Sequence, residues 1–300
     1  MKGRLLFVLL YACSLSLSKS TFSQISRTYG SIRAIVRQNV NPNDLGHYLD
    51  EAAWDSLFPH RYGYQAKNDV HRQEDYYSLH SFMVAAGMFP GFLSEGNTEV
   101  RKRELAAFLA SIAYETGGGW IGAPDGACRW GLYFKEEKSK AGTGSQYIDS
   151  SKAIYPPFPG VSYYGRGPIQ LSWNYNYGQF SEAWFGNKDS LLQNPGLLSE
   201  NAVISFASAI WFWMTPQFPK PSCHDVIVGN WKPNNMDSTK GRLPGFGAVV
   251  NVINGGVECG SLTEDERTTS RYRYYQYYCD YLQITPGENR QCGFQTPFGQ

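Results

Sequence analysis

Four stretches of the chain place apolar residues with the period of an α-helix. Leu79, Phe82, Met83 and Ala86 fall at i, i+3, i+4 and i+7, which puts them on one face. Leu105, Phe108, Leu109 and Ile112 repeat that spacing, and Gly117-Gly118-Gly119 predicts a sharp end to the element. From Val203 to Met214 the residues are apolar nearly all round, the mark of a buried helix, and Pro216 predicts its stop. The tyrosine-rich stretch from Arg271 to Leu282 reads as a last helix. Strand signals are scarce. Between the helices lie loops rich in Gly, Pro and Asn, chiefly 138–170 and 215–247, and loops that long in a compact domain are usually functional or mobile. The pattern predicts one mainly α domain with a cleft between helical lobes.

The N-terminus follows another pattern. Lys2 and Arg4 precede the apolar run Leu5 to Ala12, and small residues follow at Ser14, Ser16, Ser18 and Ser20. A basic start, a short apolar run and a small-residue end describe a secretory signal peptide over residues 1–20. Nothing later approaches the ~20 apolar residues that a membrane helix needs. Residues 21–45 are polar and irregular, ending in Asn41-Pro42-Asn43-Asp44, and read as an arm before a domain at 46–300. The expected product is soluble, exported and monomeric.

Composition narrows the partners. With 42% hydrophobic residues, 300 residues suffice for one large domain. Lys and Arg number 27 against 26 Asp and Glu, so no global field draws nucleic acid or an anionic membrane. Aromatic content is high at 15%, with 21 Tyr and 8 Trp. Core and scaffold account for most of these rings, and the remainder suit sugar faces. Cys13 leaves with the signal, so Cys128, Cys223, Cys259, Cys279 and Cys292 remain, an odd number for an oxidising compartment. There is no CxxC pair and no HExxH, so neither a metal nor another cofactor is expected. No N-x-S/T acceptor occurs either.

Two glutamates stand in unlike places. Glu115 follows Phe108 by seven residues, which puts it within about 20° of that side chain at the edge of the apolar stripe. Partial desolvation there favours the protonated form, as a general acid requires. Glu137 lies in Phe134-Lys135-Glu136-Glu137-Lys138, where neighbouring charges predict a solvated, ionised carboxylate suited to a base. Periodicity alone favours plainer readings of both: Glu115 as a glutamate at a fraying helix end, solvated or capping a loop, and Glu137 as part of a solvated charge run.

The surrounding motifs add to this. The run from Ala107 to Trp120, with Ala123-Pro124-Asp125-Gly126 after it, resembles the first signature of glycoside hydrolase family 19 chitinases. The run Tyr164-Gly165-Arg166-Gly167-Pro168-Ile169-Gln170-Leu171-Ser172-Trp173-Asn174-Tyr175-Asn176-Tyr177-Gly178 resembles the second. Further similarity lies at Trp211 to Gln217, Leu243 to Gly247 and Val252 to Gly260, so the resemblance runs from about Trp54 to Phe298. No cysteine-rich, lectin-like chitin-binding module precedes it.

The resemblance implies a lysozyme-like, two-lobed helical fold with a deep cleft. It also implies endo-hydrolysis of β-1,4 bonds between N-acetylglucosamine units of chitin or chito-oligosaccharides, with inversion. By its motifs Glu115 matches the acid, Glu137 the base and Ser172 the residue that holds the water. Gln170, Tyr175, Asn176 and Asn254 match sugar-binding positions, and Lys220 a charged position at the cleft. Glu258 and Arg271 match a supporting charge network, and Cys259 with Cys292 a disulfide. Asn174, Tyr177 and Trp213 are read as packing residues. The glycines at 165, 167, 255 and 256 are read as serving tight turns and close approach.

The chain departs from the family pattern in places. Tyr114 precedes the acid and Trp173 follows Ser172 where the family usually has His. Tyr155 stands where a cleft tryptophan is common, and is expected to stack on sugar. Two usual bridges are missing, so loop 138–162 lacks its staple, Cys128 has no evident mate, and Cys223 and Cys279 either pair or stay free. Two other readings compete: an inactive relative that binds chitin or wall glycan, and a muramidase acting on peptidoglycan.

Overall fold

The computed structural model describes residues 45–62, 75–117, 122–137, 147–263 and 266–300. The signal-peptide reading, all but the end of the arm, and segment 138–146 of the first long loop lie outside the described residues. The described helices are α1 (Leu45–Tyr48), α2 (Glu51–Leu57), α3 (Leu79–Ala86), α4 (Thr98–Thr116), α5 (Asn174–Phe185) and α6 (Asp189–Gln193). They continue with α7 (Leu197–Glu200), α8 (Ala202–Met214), α9 (Cys223–Val228), α10 (Asn235–Thr239), α11 (Phe246–Glu258) and α12 (Glu266–Tyr281). Among the described residues extended pairing is confined to isolated bridges, so the mainly α expectation holds. No described helix is long and apolar enough to cross a membrane.

Helix α4 is the spine. It starts where Asn97 caps it, its side chain accepting a hydrogen bond from the Val100 N–H at 3.0 Å, and it ends at Gly117. The predicted face of Leu105, Phe108, Leu109 and Ile112 is buried, but so are Ala106, Ala107, Ala110 and Ala113. The reason is position: α12 packs along one side of α4 while α9 and α11 cover others, and alanines allow close approach. Helix α8 is buried as predicted, stops before Pro216 and packs against α3. Beside this interface Trp54 of α2 stacks on Phe82 of α3 (5.5 Å, 13°), Phe82 on Phe108 of α4 (5.8 Å, 12°), and Trp213 of α8 meets Phe108 edge-on.

One predicted boundary shifts, and several helices, α5 among them, were not predicted. Helix α12 begins at Glu266, ahead of the predicted Arg271, because its first turn is polar and carries no apolar period. The 215–247 loop holds two short helices, α9 and α10, each started by a side-chain cap from Ser222 or Asn234. Helices of five or six residues are too short to show periodicity. Helix α11 went unread because its Gly-rich sequence looks like loop; at Asn254 its backbone leaves helical geometry (φ −143°, ψ 31°).

The expected disulfide joins Cys259 to Cys292, tying the end of α11 to the C-terminal segment. Cys128, Cys223 and Cys279 are free thiols, and burial pushes the Cys128 thiol up to about 11.

Candidate active site

A cleft with a cavity volume of about 520 Å³ opens on the two glutamates singled out by the sequence. Glu115, Glu137, Gln170, Ser172, Tyr175, Asn176, Lys220 and Asn254 all line it. These residues come from separate elements: the end of α4, the segments ending at Glu137 and running from Gln170 to Ser172, the start of α5, the turn after α8 and the kink of α11.

Glu115 lies in the last turn of α4 and keeps 18% of its side-chain surface exposed. Arg271 of α12, only 2% exposed, reaches it: Nη2 donates to Glu115 Oε1 at 2.5 Å and to Glu258 Oε1 at 2.7 Å, and Nε donates to Glu258 Oε2 at 2.6 Å. Burial raises the Glu115 pKa and outweighs the opposing pull of Arg271, with a smaller upward push from Glu258. Because Glu258 already neutralises most of the Arg271 charge, Glu115 faces a buried ion pair rather than a bare cation. The supporting network thus belongs to Glu115; among the described residues it makes no contact with Glu137.

Tyr114 covers the network from above. The Arg271 guanidinium sits 4.1 Å from the centre of the Tyr114 ring, and Tyr274 closes the other side edge-on at 5.7 Å. An uncharged ring fits this place, where an imidazolium would face Arg271.

Glu137 is placed by backbone pairing. Its N–H donates to Gly165 O (2.9 Å), and Gly167 N–H donates to Lys135 O (2.9 Å), so 135–137 lies antiparallel to 165–167. Arg166 anchors that second segment, its guanidinium 3.7 Å from the Tyr164 ring centre and donating to the Tyr177 hydroxyl at 2.9 Å. The predicted fully solvated charge run is a correction: Glu136 turns towards Arg166, Tyr164 and Ser199, and Glu137 is half-buried, accepting from the Tyr147 hydroxyl at 2.8 Å.

Ser172 sits between two residues in the left-handed region, Gln170 (φ 50°) and Trp173 (φ 76°). Such conformations cost about 1–2 kcal/mol each for a side chain with a Cβ, and tend to cluster where function demands a fixed geometry. The Ser172 hydroxyl donates to Gln170 O at 2.9 Å, so its lone pairs remain to accept. Gln170 donates to Gly167 O, Asn176 donates to Ser172 O, Lys220 donates to Val252 O, and Asn254 donates to Glu258 Oε1. Burial lowers the Lys220 pKa.

Two buried polar atoms in this cleft, Asn176 Oδ1 and Gln217 Nε2, have no partner among the described residues. One accepts and the other donates, as an amide-bearing ligand would require.

The structure places Tyr155 elsewhere than expected. Its ring fills the slot left by Gly178 on α5, where an added Cβ would come within 2.4 Å, and its hydroxyl donates to Glu182. It is absent from the cleft lining, because the glycine gives the ring a packed seat outside it. Trp173, 39% exposed, and Tyr147 line the cleft instead. Asn174, Tyr177 and Trp213 are buried packing residues as read. Tyr147 and Gln217 were missed as site residues: nothing in the local pattern distinguishes a loop tyrosine, whereas Gln217 closes the motif run from Trp211, which was the signal for it.

Comparison with known proteins agrees with this arrangement. The family described as "Chitinase class I" (Glyco_hydro_19) matches residues 53–292. Endochitinase 2 of Solanum tuberosum is 46% identical over 259 residues, covering 86% of this chain and 78% of that protein. Inactive chitinase-like protein 1 of Hevea brasiliensis is 48% identical over 257 residues, covering 85% and 77%. Among solved structures, chitinase C from Streptomyces griseus HUT6037 has a TM-score of 0.62 at 28% identity, covering 82% of this chain and 97% of that one. The family GH19, class IV chitinase from Zea mays has a TM-score of 0.59 at 29% identity, covering 82% and 98%. The helical fold with its cleft, the order of the motifs and these relatives agree: the chain belongs to the chitinases of glycoside hydrolase family 19.

Proposed function

We propose that this protein is an exported endo-chitinase that hydrolyses β-1,4 bonds between N-acetylglucosamine units with inversion. Glu115 is the acid, Glu137 the base, and Ser172 holds the nucleophilic water. The observation that carries this reading is the contrast between two carboxylates lining one cleft. Burial raises the pKa of Glu115, which faces Arg271, whereas Glu137 meets a single neutral phenol donor among the described residues.

Glu115 protonates the leaving oxygen, and Arg271 then stabilises the carboxylate that forms. The water gives one hydrogen bond to Ser172 Oγ, whose own proton is committed to Gln170 O, and its other proton to Glu137. Inversion asks for carboxyl groups roughly 6.5–9.5 Å apart, so that the water fits on the far face of the sugar. Asn176 Oδ1 and Gln217 Nε2 offer an acceptor and a donor to the N-acetyl group. Residues 1–20 act as the export signal, and the domain at 46–300 is the mature catalytic unit.

The test is digestion of N-acetylglucosamine hexamer followed by NMR. Wild type should release shorter oligomers first as the α-anomer, and Glu115→Gln should release none. Intact hexamer with both proteins, despite binding, would instead make this chain a chitin-binding protein without hydrolysis, and one relative, from Hevea brasiliensis, is itself named an inactive chitinase-like protein. Digestion of peptidoglycan in preference to chitin would make it a muramidase.

A further inference from the structure

Tyr147 and Trp173 form a unit around Glu137 that the acid, base and water do not account for. Tyr147 lies in the left-handed region (φ 68°). From there its hydroxyl donates to Glu137 Oε2 at 2.8 Å. Among the described residues Oε1 has no hydrogen-bond partner.

The Tyr147 ring meets Trp173 edge to face, centroids 5.5 Å apart and planes at 77°. Trp173 is itself pinned: its N–H donates to Tyr163 O at 2.9 Å, and its carbonyl accepts from the N–H groups of Asn176 and Tyr177. On its other side the indole lies nearly parallel to Tyr175, at 6.3 Å and 22°. Asn174, the next residue, grips the same loop by the backbone. Its N–H donates to Tyr147 O at 3.2 Å, and its side chain accepts from Asp149 N–H (2.7 Å) and donates to Asp149 O (3.1 Å) and Tyr155 O (2.7 Å). Tyr147 is therefore held at both ring and backbone by one rigid dipeptide at the start of α5.

We propose that Tyr147 is a positioning residue for Glu137, and that Trp173 acts through it by fixing the direction of its phenol. This inference rests on Glu137 being the base. The terminal torsion of a glutamate is broad, so a carboxylate without a fixed donor samples many orientations. With Oε2 committed to Tyr147, Oε1 alone is presented to the water. The phenol stays a donor throughout the working range, because burial, and then the facing carboxylate, push its pKa up to about 12. Trp173, where the family usually has His, thus contributes to turnover without touching the proton that is transferred.

Steady-state kinetics on the N-acetylglucosamine hexamer test this with wild type, Tyr147→Phe, Trp173→Ala, the double variant and Glu137→Gln, each first checked for a cooperative thermal transition. Tyr147→Phe should lower kcat roughly tenfold or more with KM unchanged, as loss of a hydrogen bond to a charged group implies. Trp173→Ala should also lower kcat, and the double variant should turn over no more slowly than Tyr147→Phe alone. Trp173→Phe, which keeps a ring, should recover part of that loss and stands in if the alanine variant does not fold. Wild-type kcat for Tyr147→Phe beside an inert Glu137→Gln overturns the inference alone. Losses that multiply in the double variant overturn the role of Trp173. Full activity of Glu137→Gln overturns the base assignment and this inference with it.

Discussion

At the scale of single residues the acid is set by competing terms. Burial raises the Glu115 pKa, Arg271 lowers it and Glu258 raises it slightly. An acid works while protonated, so kcat should fall as pH rises through that value. Glu258→Gln removes an upward push and should move the alkaline limb of the kcat profile to lower pH. Arg271→Met removes the downward pull and should move it higher. It should also destabilise the fold by about 3–5 kcal/mol in denaturant titration, because Glu258 is left buried and unpaired. A second charged group lies away from the cleft. Glu104, fully buried, accepts from His224 Nδ1 (2.7 Å) and Trp213 Nε1 (3.0 Å), while Glu95 faces His224 Nε2 at 3.3 Å. Burial opposes the imidazolium, but the two carboxylates outweigh it and the His224 pKa is raised above 6.5. Its contribution to stability is therefore fully present below the unfolded value and lost as pH rises through the raised folded one. Thermal midpoints measured from about pH 6 upward should decline in wild type and decline less in His224→Gln.

At the scale of elements, α11 shows what close packing demands of a sequence. Gly247 lies in its first turn against the C-terminal segment, where an added Cβ would stand 2.1 Å from Gln291 O. That atom is backbone and cannot turn aside. Gly247→Ala should therefore cost about 1–3 kcal/mol in chemical denaturation. Gly256, near the other end of α11, has nothing within 4 Å of its Cβ position. There alanine should be neutral or stabilise by up to about 1 kcal/mol, since it reduces the freedom of the unfolded chain. A loss at Gly256 equal to that at Gly247 would overturn the clash with Gln291 O as the cause, since helix propensity favours alanine at both positions. The motif residues around Asn254 are legible as a pattern, but the kink that points Asn254 at Glu258 depends on contacts with α12 and the chain end.

At the scale of the whole molecule, one covalent link among the described residues holds the C-terminal segment to the end of α11. Cys259 follows Glu258 directly and bonds Cys292, 33 residues on. A loop of that length implies about 4 kcal/mol of stabilisation in the chain-entropy view. Replacing both cysteines by serine should lower the unfolding free energy by about 2–4 kcal/mol, read from a lower denaturant midpoint. Activity should fall at temperatures where the single-site glutamine variants are still folded, because the end of α11 carries the partner of Arg271. The free thiols at Cys223 and Cys279 are buried, so reducing agent should affect stability through Cys259–Cys292 alone.

What the sequence determined by itself was whatever depends on near neighbours. The periods at Leu79 to Ala86, Leu105 to Ile112 and Val203 to Met214 fall on described helices, because an apolar face repeating every three to four residues has few other solutions. The long motifs around Glu115 and Ser172 were legible because many residues in fixed order carry them. The tertiary structure alone decided which side chains meet. It assigned Arg271 to Glu115 across 156 positions of sequence, seated Tyr155 on Gly178, and brought Tyr147 to Glu137. Hydrogen bonds and ring contacts between distant segments leave no local period, since each needs the folded backbone before its partner exists.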